Sequence, residues 1–97
     1  MHAVAKVNGT TIAETDKYEV VEGNIYFPAD SINNSYYRKT DHTTFCPWKG
    51  TASYYTLNVD GKLISNGAWY YPQPLEKTQN IKDHVAFYKN KVDITSE

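Results

Sequence analysis

Apolar and polar residues alternate with a period of two through most of this chain, the spacing expected of half-buried strands. His2 to Val7 sets Ala3, Ala5 and Val7 against His2, Val4 and Lys6, Asn8-Gly9 is a strong two-residue hairpin signal, and Thr10 to Glu14 returns as the partner strand. Tyr18, Val20 and Val21 begin a second run that Glu22, Gly23 and Asn24 reverse into Ile25, Tyr26 and Phe27. Pro28 ends it, because proline has no amide hydrogen to give to a ladder. Asp30 to Asn34 is polar except for Ile32, and Ser35-Tyr36-Tyr37 reads as a short strand. Ser53 to Val59 is the strongest strand, with Tyr55, Leu57 and Val59 on one face. Asp60-Gly61 turns it into Lys62 to Ile64, Asn66-Gly67 is a further turn or a bulge, and Ala68 to Tyr71 resumes the strand until Pro72 and Pro74 stop it.

Glu76 to His84 is the one helical pattern, with Leu75, Ile81 and Val85 able to share a face. So short a helix depends on tertiary packing. Val85 to Tyr88 and Val92 to Thr95 read as a closing hairpin around Lys89-Asn90-Lys91. Frequent turns, short strands and a single helix predict one mainly β domain over residues 1–97, antiparallel because there are too few helices to serve as parallel crossovers.

The alternation lapses between Thr40 and Tyr55, where the chain places its only cysteine, one of its three histidines and a lysine inside a proline–glycine framework. That combination predicts a loop carried on a rigid scaffold, where binding and catalysis tend to sit. His42 and Lys49 flank Cys46, and either is suited to lowering the thiol pKa from its usual value of about 8.5. Asp41 is suited to orienting the imidazole or to capping the loop. The bland alternative is a buried cysteine acting as a small hydrophobe. A metal site is not expected: His42 and Cys46, completed by His2, His84, Asp41 or Asp30, lack the paired CxxC spacing of structural zinc. Lys49-Gly50 is not a phosphate loop, since Phe45 to Trp48 stand where that loop has its glycines.

Composition narrows the classes. Ten Lys plus Arg against eleven Asp plus Glu leave a formal charge of −1, and Arg38-Lys39 is too small a basic patch for nucleic-acid binding. There is no apolar run of membrane-spanning length, and one cysteine excludes an internal disulfide. The expectation is a cytoplasmic protein with no nucleic-acid or membrane partner, no bound cofactor, and an oligomeric state left open. Nine Tyr, two Trp and three Phe predict an aromatic core whose buried hydroxyls need partners.

Three segments then carry a resemblance: Asp41 to Tyr54, with Cys46-Pro47-Trp48-Lys49-Gly50 at its centre, Ala68-Trp69-Tyr70-Tyr71-Pro72-Gln73-Pro74, and Val85-Ala86-Phe87-Tyr88, preceded by Tyr26-Phe27-Pro28. In that order the chain resembles a bacterial family catalogued as domain of unknown function 427. Its signature falls on His42, Cys46, Pro47, Lys49, Gly50, Tyr54, Trp69, Tyr71 and Pro72. The resemblance implies a small antiparallel β-tent or barrel-like domain with one short helix, akin to zinc-binding and methionine-sulfoxide-reductase-related domains. Those relatives hold metal with cysteine pairs that this chain lacks. A nucleotidyltransferase label attached to the family finds no paired-aspartate metal site here.

The functional expectation is a small polar or anionic ligand held in a cleft between the Asp41–Ala52 loop and the Trp69–Tyr71 strand. Asp41, His42, Cys46, Lys49, Tyr54, Trp69 and Tyr71 would line it, Lys49 binding a negative group and Trp69 or Tyr71 stacking on the ligand. One alternative is a thiol-dependent enzyme with Cys46 as nucleophile or redox thiol and His42 as base. Another is a protein-interaction module using an exposed β edge or aromatic patch.

Overall fold

Three pairs of residues ending in glycine reverse the chain tightly, because both members adopt positive φ: Asn8 (49°) with Gly9 (82°), Glu22 (53°) with Gly23 (78°), and Asp60 (51°) with Gly61 (88°). Such turns match the right-handed twist of the strands they join. The computed structural model describes residues 1–97 and has nine strands: β1 (Ala3–Val7), β2 (Thr10–Thr15), β3 (Glu19–Val21), β4 (Asn24–Tyr26), β5 (Tyr37–Cys46), β6 (Gly50–Val59), β7 (Lys62–Tyr70), β8 (Val85–Phe87) and β9 (Asp93–Ser96). They form sheets of order β2-β1-β9, β3-β4 and β5-β6-β7-β8, with every strand pair antiparallel. This is the mainly β domain that the alternation predicts.

Strands β6, β7 and β8 of the four-stranded sheet are packed on both faces while β5 is largely exposed, and that positions the site. One face joins the β1 sheet in the main core, where Leu57, Val59, Ile64, Ala68, Val85 and Phe87 meet Ala3, Ala5, Ile12 and Phe27. Its aromatic rings meet edge to face: Phe27 on Phe87 at 5.5 Å between centroids, and Tyr37 on Tyr55 at 5.4 Å. The Tyr37 hydroxyl donates to the Ile12 carbonyl at 2.9 Å, satisfying the polar end that burial would otherwise penalise. The other face carries Ala52, Tyr54, Trp69, Tyr71 and Ala86, covered by Tyr26 and Ile81.

Four expectations are corrected. Ser35-Tyr36-Tyr37 is not a strand: Asn34–Tyr36 is a 3₁₀ turn, and only Tyr37 enters β5. The segment read as a loop is a hairpin: β5 and β6 pair from Thr43↔Ser53 to Cys46↔Gly50, with a register shift between Lys39 and Thr43. Strand alternation is present there, with His42, Thr44 and Cys46 on one side and Thr43 and Phe45 on the other. Hydrophobicity does not reveal it, because Asp41 to Phe45 are exposed on both sides of the strand. The expected helix is a 3₁₀ segment over Glu76–Ile81, kinked at Thr78. The Leu75 carbonyl accepts both the Thr78 amide at 3.0 Å and the Thr78 hydroxyl at 3.2 Å, and the Pro74 carbonyl accepts from Gln79 Nε2. Finally, Val85 to Tyr88 and Val92 to Thr95 do not form a hairpin, since β8 pairs with β7 and β9 with β1. Asn66, at φ 51°, marks a bulge within β7 and not a turn, and its amide donates to Thr56 Oγ1 at 3.3 Å.

Candidate functional site

The site is built on the second face of the large sheet, around the turn between β5 and β6. Gly50 makes that turn possible: it adopts φ 106°, and a Cβ there would lie 3.2 Å from the Gln73 carbonyl oxygen. Gly50→Ala therefore combines a forbidden backbone conformation with backbone crowding, and we expect a loss of roughly 1–3 kcal/mol in chemical denaturation. Gly61→Ala, whose added Cβ meets nothing within 4 Å, should cost less. Equal costs would mean that crowding at Gly50 is relieved. The Leu75 amide, donating to the Lys49 carbonyl at 3.0 Å, ties the same turn to the chain beyond β7.

Held this way, Lys49 is buried, at 8% exposure. Its Nζ pairs with the Glu22 carboxylate from the β3–β4 turn. It also lies 5.8 Å from the Trp48 ring centroid and 5.6 Å from that of Tyr71, within the range of cation–π attraction. Burial opposes the charge, but the Glu22 bond and the nearby Tyr26 and Tyr71 hydroxyls outweigh it and raise the Lys49 pKa. The ammonium is thus fixed in its charged form. Burial raises the Tyr71 pKa, with Lys49 pulling the other way and Tyr26 and Cys46 adding to the rise, so the phenol stays neutral and can donate a hydrogen bond.

The aromatic wall continues along the sheet. Trp69 Nε1 donates to the Tyr26 hydroxyl at 3.2 Å, and their rings stand edge to face at 82°. Tyr54 and Thr44 share a hydroxyl–hydroxyl bond of 3.0 Å, and Tyr88 packs on Trp69 at 4.9 Å between centroids. Burial and the Tyr54 hydroxyl push the Tyr88 pKa up to about 12. His42 packs on Tyr54 at 4.6 Å, while its amide is held by Thr40 Oγ1.

Of the seven expected residues, Lys49, Tyr71 and Cys46 meet at one end of the face and Tyr54 and His42 at the other, with Trp69 beside Tyr54. Asp41 is exposed, in the unpaired stretch of β5. It makes no side-chain bond to the group. Cys46 and His42 do not form a pair: four residues apart on one strand, they are separated by about 13 Å. Hydrogen-bond contact between imidazole and sulfur, which nucleophile activation needs, is therefore not made. Possible metal ligands are also dispersed, with His2 between Glu14 and Asp16, and His84 Nδ1 against the Lys82 carbonyl. No group of three or more His, Cys, Asp or Glu side chains is arranged to hold a metal ion.

The face is walled but not hollow. Tyr54, Trp69 and Tyr71 are each less than a tenth exposed, and access lies at the rim, where Trp48 is 43% exposed and the Glu22 side chain 50%. A cavity of about 310 Å³ lies on the outer side of the same hairpin, between Phe45, Thr51, Ser53 and the Pro72–Leu75 segment. Glu22, Tyr26 and Tyr88 are members of the site that sequence reasoning did not single out. Glu22 reads as a turn residue, and only the fold brings its turn against Lys49.

The profile of the family described as Domain of unknown function (DUF427) matches residues 1–97. The chain belongs to the DUF427 family. Cys46, Lys49, Gly50, Tyr54, Trp69 and Tyr71 converge on one turn and one sheet face. No curated protein matches the chain. No helix is long and apolar enough to cross a membrane.

Proposed function

We propose that this DUF427 domain binds a small polar or anionic ligand at the rim of the aromatic sheet face, with Lys49 as the charge that recognises it. One observation carries the reading: a buried, charged ammonium has as its carboxylate partner a half-exposed side chain from a separate hairpin. An incoming carboxylate or phosphate can take the place of Glu22, leaving that residue free in water while Lys49 remains paired. Trp48, exposed beside the ammonium, offers a stacking wall, and the neutral Tyr71 hydroxyl offers a donor. Cys46 lines the same rim, and His42 and Tyr54 offer polar contacts to a longer ligand. The unpaired cysteine suits a reducing compartment such as the cytoplasm.

Protein-observed NMR with panels of carboxylates, phosphates and neutral polar metabolites tests this. The expected result is that anionic compounds shift the Trp48 and Trp69 indole signals and the Lys49 and Tyr71 amides. Uniform silence across the panels, or shifts confined to other parts of the chain, would overturn it.

A further inference from the structure

The largest cavity, about 650 Å³, lies away from Lys49, between Gly23–Ile25 on one side and Asp93–Ser96 on the other, with Phe87 and Lys89 between them. Its size is within the usual range for ligand sites. Its chemistry is that of exposed strand edges. β9 is the outermost strand of its sheet, and His2 and Glu97 exchange both backbone bonds, at 3.0 and 2.9 Å. Bonded and non-bonded pairs alternate in an antiparallel ladder, so Thr95 and Asp93 face β1 while Ile94 and Ser96 turn their N–H and C=O groups away from it.

The opposite side has the same property. In the two-residue β3–β4 hairpin, Val21 and Asn24 close the turn, which leaves the Ile25 backbone directed away from β3. Two residues further on, Phe27 spends its equivalent groups on Val85, through two bonds of 2.8 Å. β4 then parts from β8. Phe87, two residues after Val85, consequently also points its backbone groups into the gap. None of the backbone bonds outside the ladders uses Ile25, Phe87, Ile94 or Ser96.

We infer that this cleft receives an extended peptide segment of another protein, which adds to the free edge of β9 as a strand. Strand addition supplies what these edges lack, donors and acceptors repeating every second residue on both sides of one chain. A second folded copy fits less well, because the β9 edge faces the β3–β4 turn, Phe87 and Lys89 across the cavity and not open solvent. Lys89 Nζ donates to the Gly23 carbonyl at 2.6 Å, leaving further donors on the ammonium for an acidic residue of the peptide. Partly buried Ile25 and Ile94 take its apolar positions. This site is independent of the Lys49 reading.

Selection of phage-displayed random heptapeptides against the full chain, followed by titration of the synthesised winners into ¹⁵N-labelled protein, tests the inference. Alternating sequences with an acidic residue are expected to win, and to shift the amides of Ile25, Phe87, Ile94 and Ser96. Ile94→Pro removes an edge donor without removing a bond to β1, and should weaken binding about tenfold or more. Ser96→Pro should act in the same direction, and Leu63→Ala, at an exposed position outside the cleft, should leave binding unchanged. If either proline variant unfolds, the shift map on the unaltered protein decides the matter. No enriched peptide, shifts mapping elsewhere, or affinity indifferent to both folded proline variants would overturn the inference. So would a concentration-dependent dimer that protects these same amides, since a second copy would then be the occupant.

Discussion

Phe87→Ala is expected to lower the free energy of unfolding by about 3–5 kcal/mol. Phe87 is 1% exposed, and its ring meets Phe27 at 5.5 Å and Tyr37 at 6.3 Å. The first partner follows β4 and the second opens β5, so one side chain joins three segments that are distant in sequence. Removing it forfeits the transfer free energy of a whole aromatic ring, two aromatic pairs worth roughly 0.5–1.5 kcal/mol each, and the packing of a cavity that rigid strands cannot collapse into. Domains of this size are stable by about 5–15 kcal/mol, so the variant should sit near the edge of folding. Urea denaturation measures the loss directly. Leu63→Ala, at a position 66% exposed, is the control and should change stability by no more than about 0.5 kcal/mol. A Phe87→Ala loss as small as that would mean that the two sheets do not share the core described.

Lys49→Met should abolish most anion binding while sparing the fold. Met retains an apolar stem among Trp48 and Tyr71 but removes the ammonium and with it the cost of burying that charge, and no buried charge is left unpaired because the remaining partner is half exposed. Glu22, already half exposed, is left to water. We expect a stability change within about 1 kcal/mol and an affinity loss of at least about 2 kcal/mol, or roughly 30-fold, for whichever anion binds the parent protein. Calorimetry on the two proteins under one buffer condition separates the effects. Undiminished affinity in a folded Lys49→Met protein would show that the ammonium serves structure alone.

What was legible in the sequence, and what was not, follows one physical division. The hairpin turns were readable because Asn8-Gly9 and Asp60-Gly61 adopt positive φ through local chemistry. The strands bordering the main core were readable because that core is apolar and enforces an alternation. The β5 arm of the Thr40–Tyr55 hairpin was hidden because Asp41 to Phe45 are exposed on both sides of the strand; hydrophobic periodicity marks strands only where one side is buried. The short helix was overextended because Lys82 leaves helical geometry and Asp83, at φ 60°, donates its amide to the Tyr71 carbonyl at 3.1 Å, a tertiary bond that propensity does not register.

The candidate site divided in the same way. Cys46, Lys49 and Gly50 stood out through local sequence, and the turn does present Lys49 to the aromatic face. The link from His42 to Cys46 failed because closeness along an extended strand is not closeness in space. Glu22 could not be found from its surroundings, since its pairing with Lys49 spans 27 positions and depends on how one hairpin lies over another.

The most direct measurement is a Trp-fluorescence and indole-NMR titration of Glu22→Gln beside the parent chain, using the tightest anion from the metabolite panels, with Trp48 and Trp69 as internal reporters. If an external anion replaces the Glu22 carboxylate at Lys49, removing that carboxylate's charge should tighten binding several-fold, by roughly 1 kcal/mol. Unchanged or weaker binding in a folded Glu22→Gln protein would contradict the account.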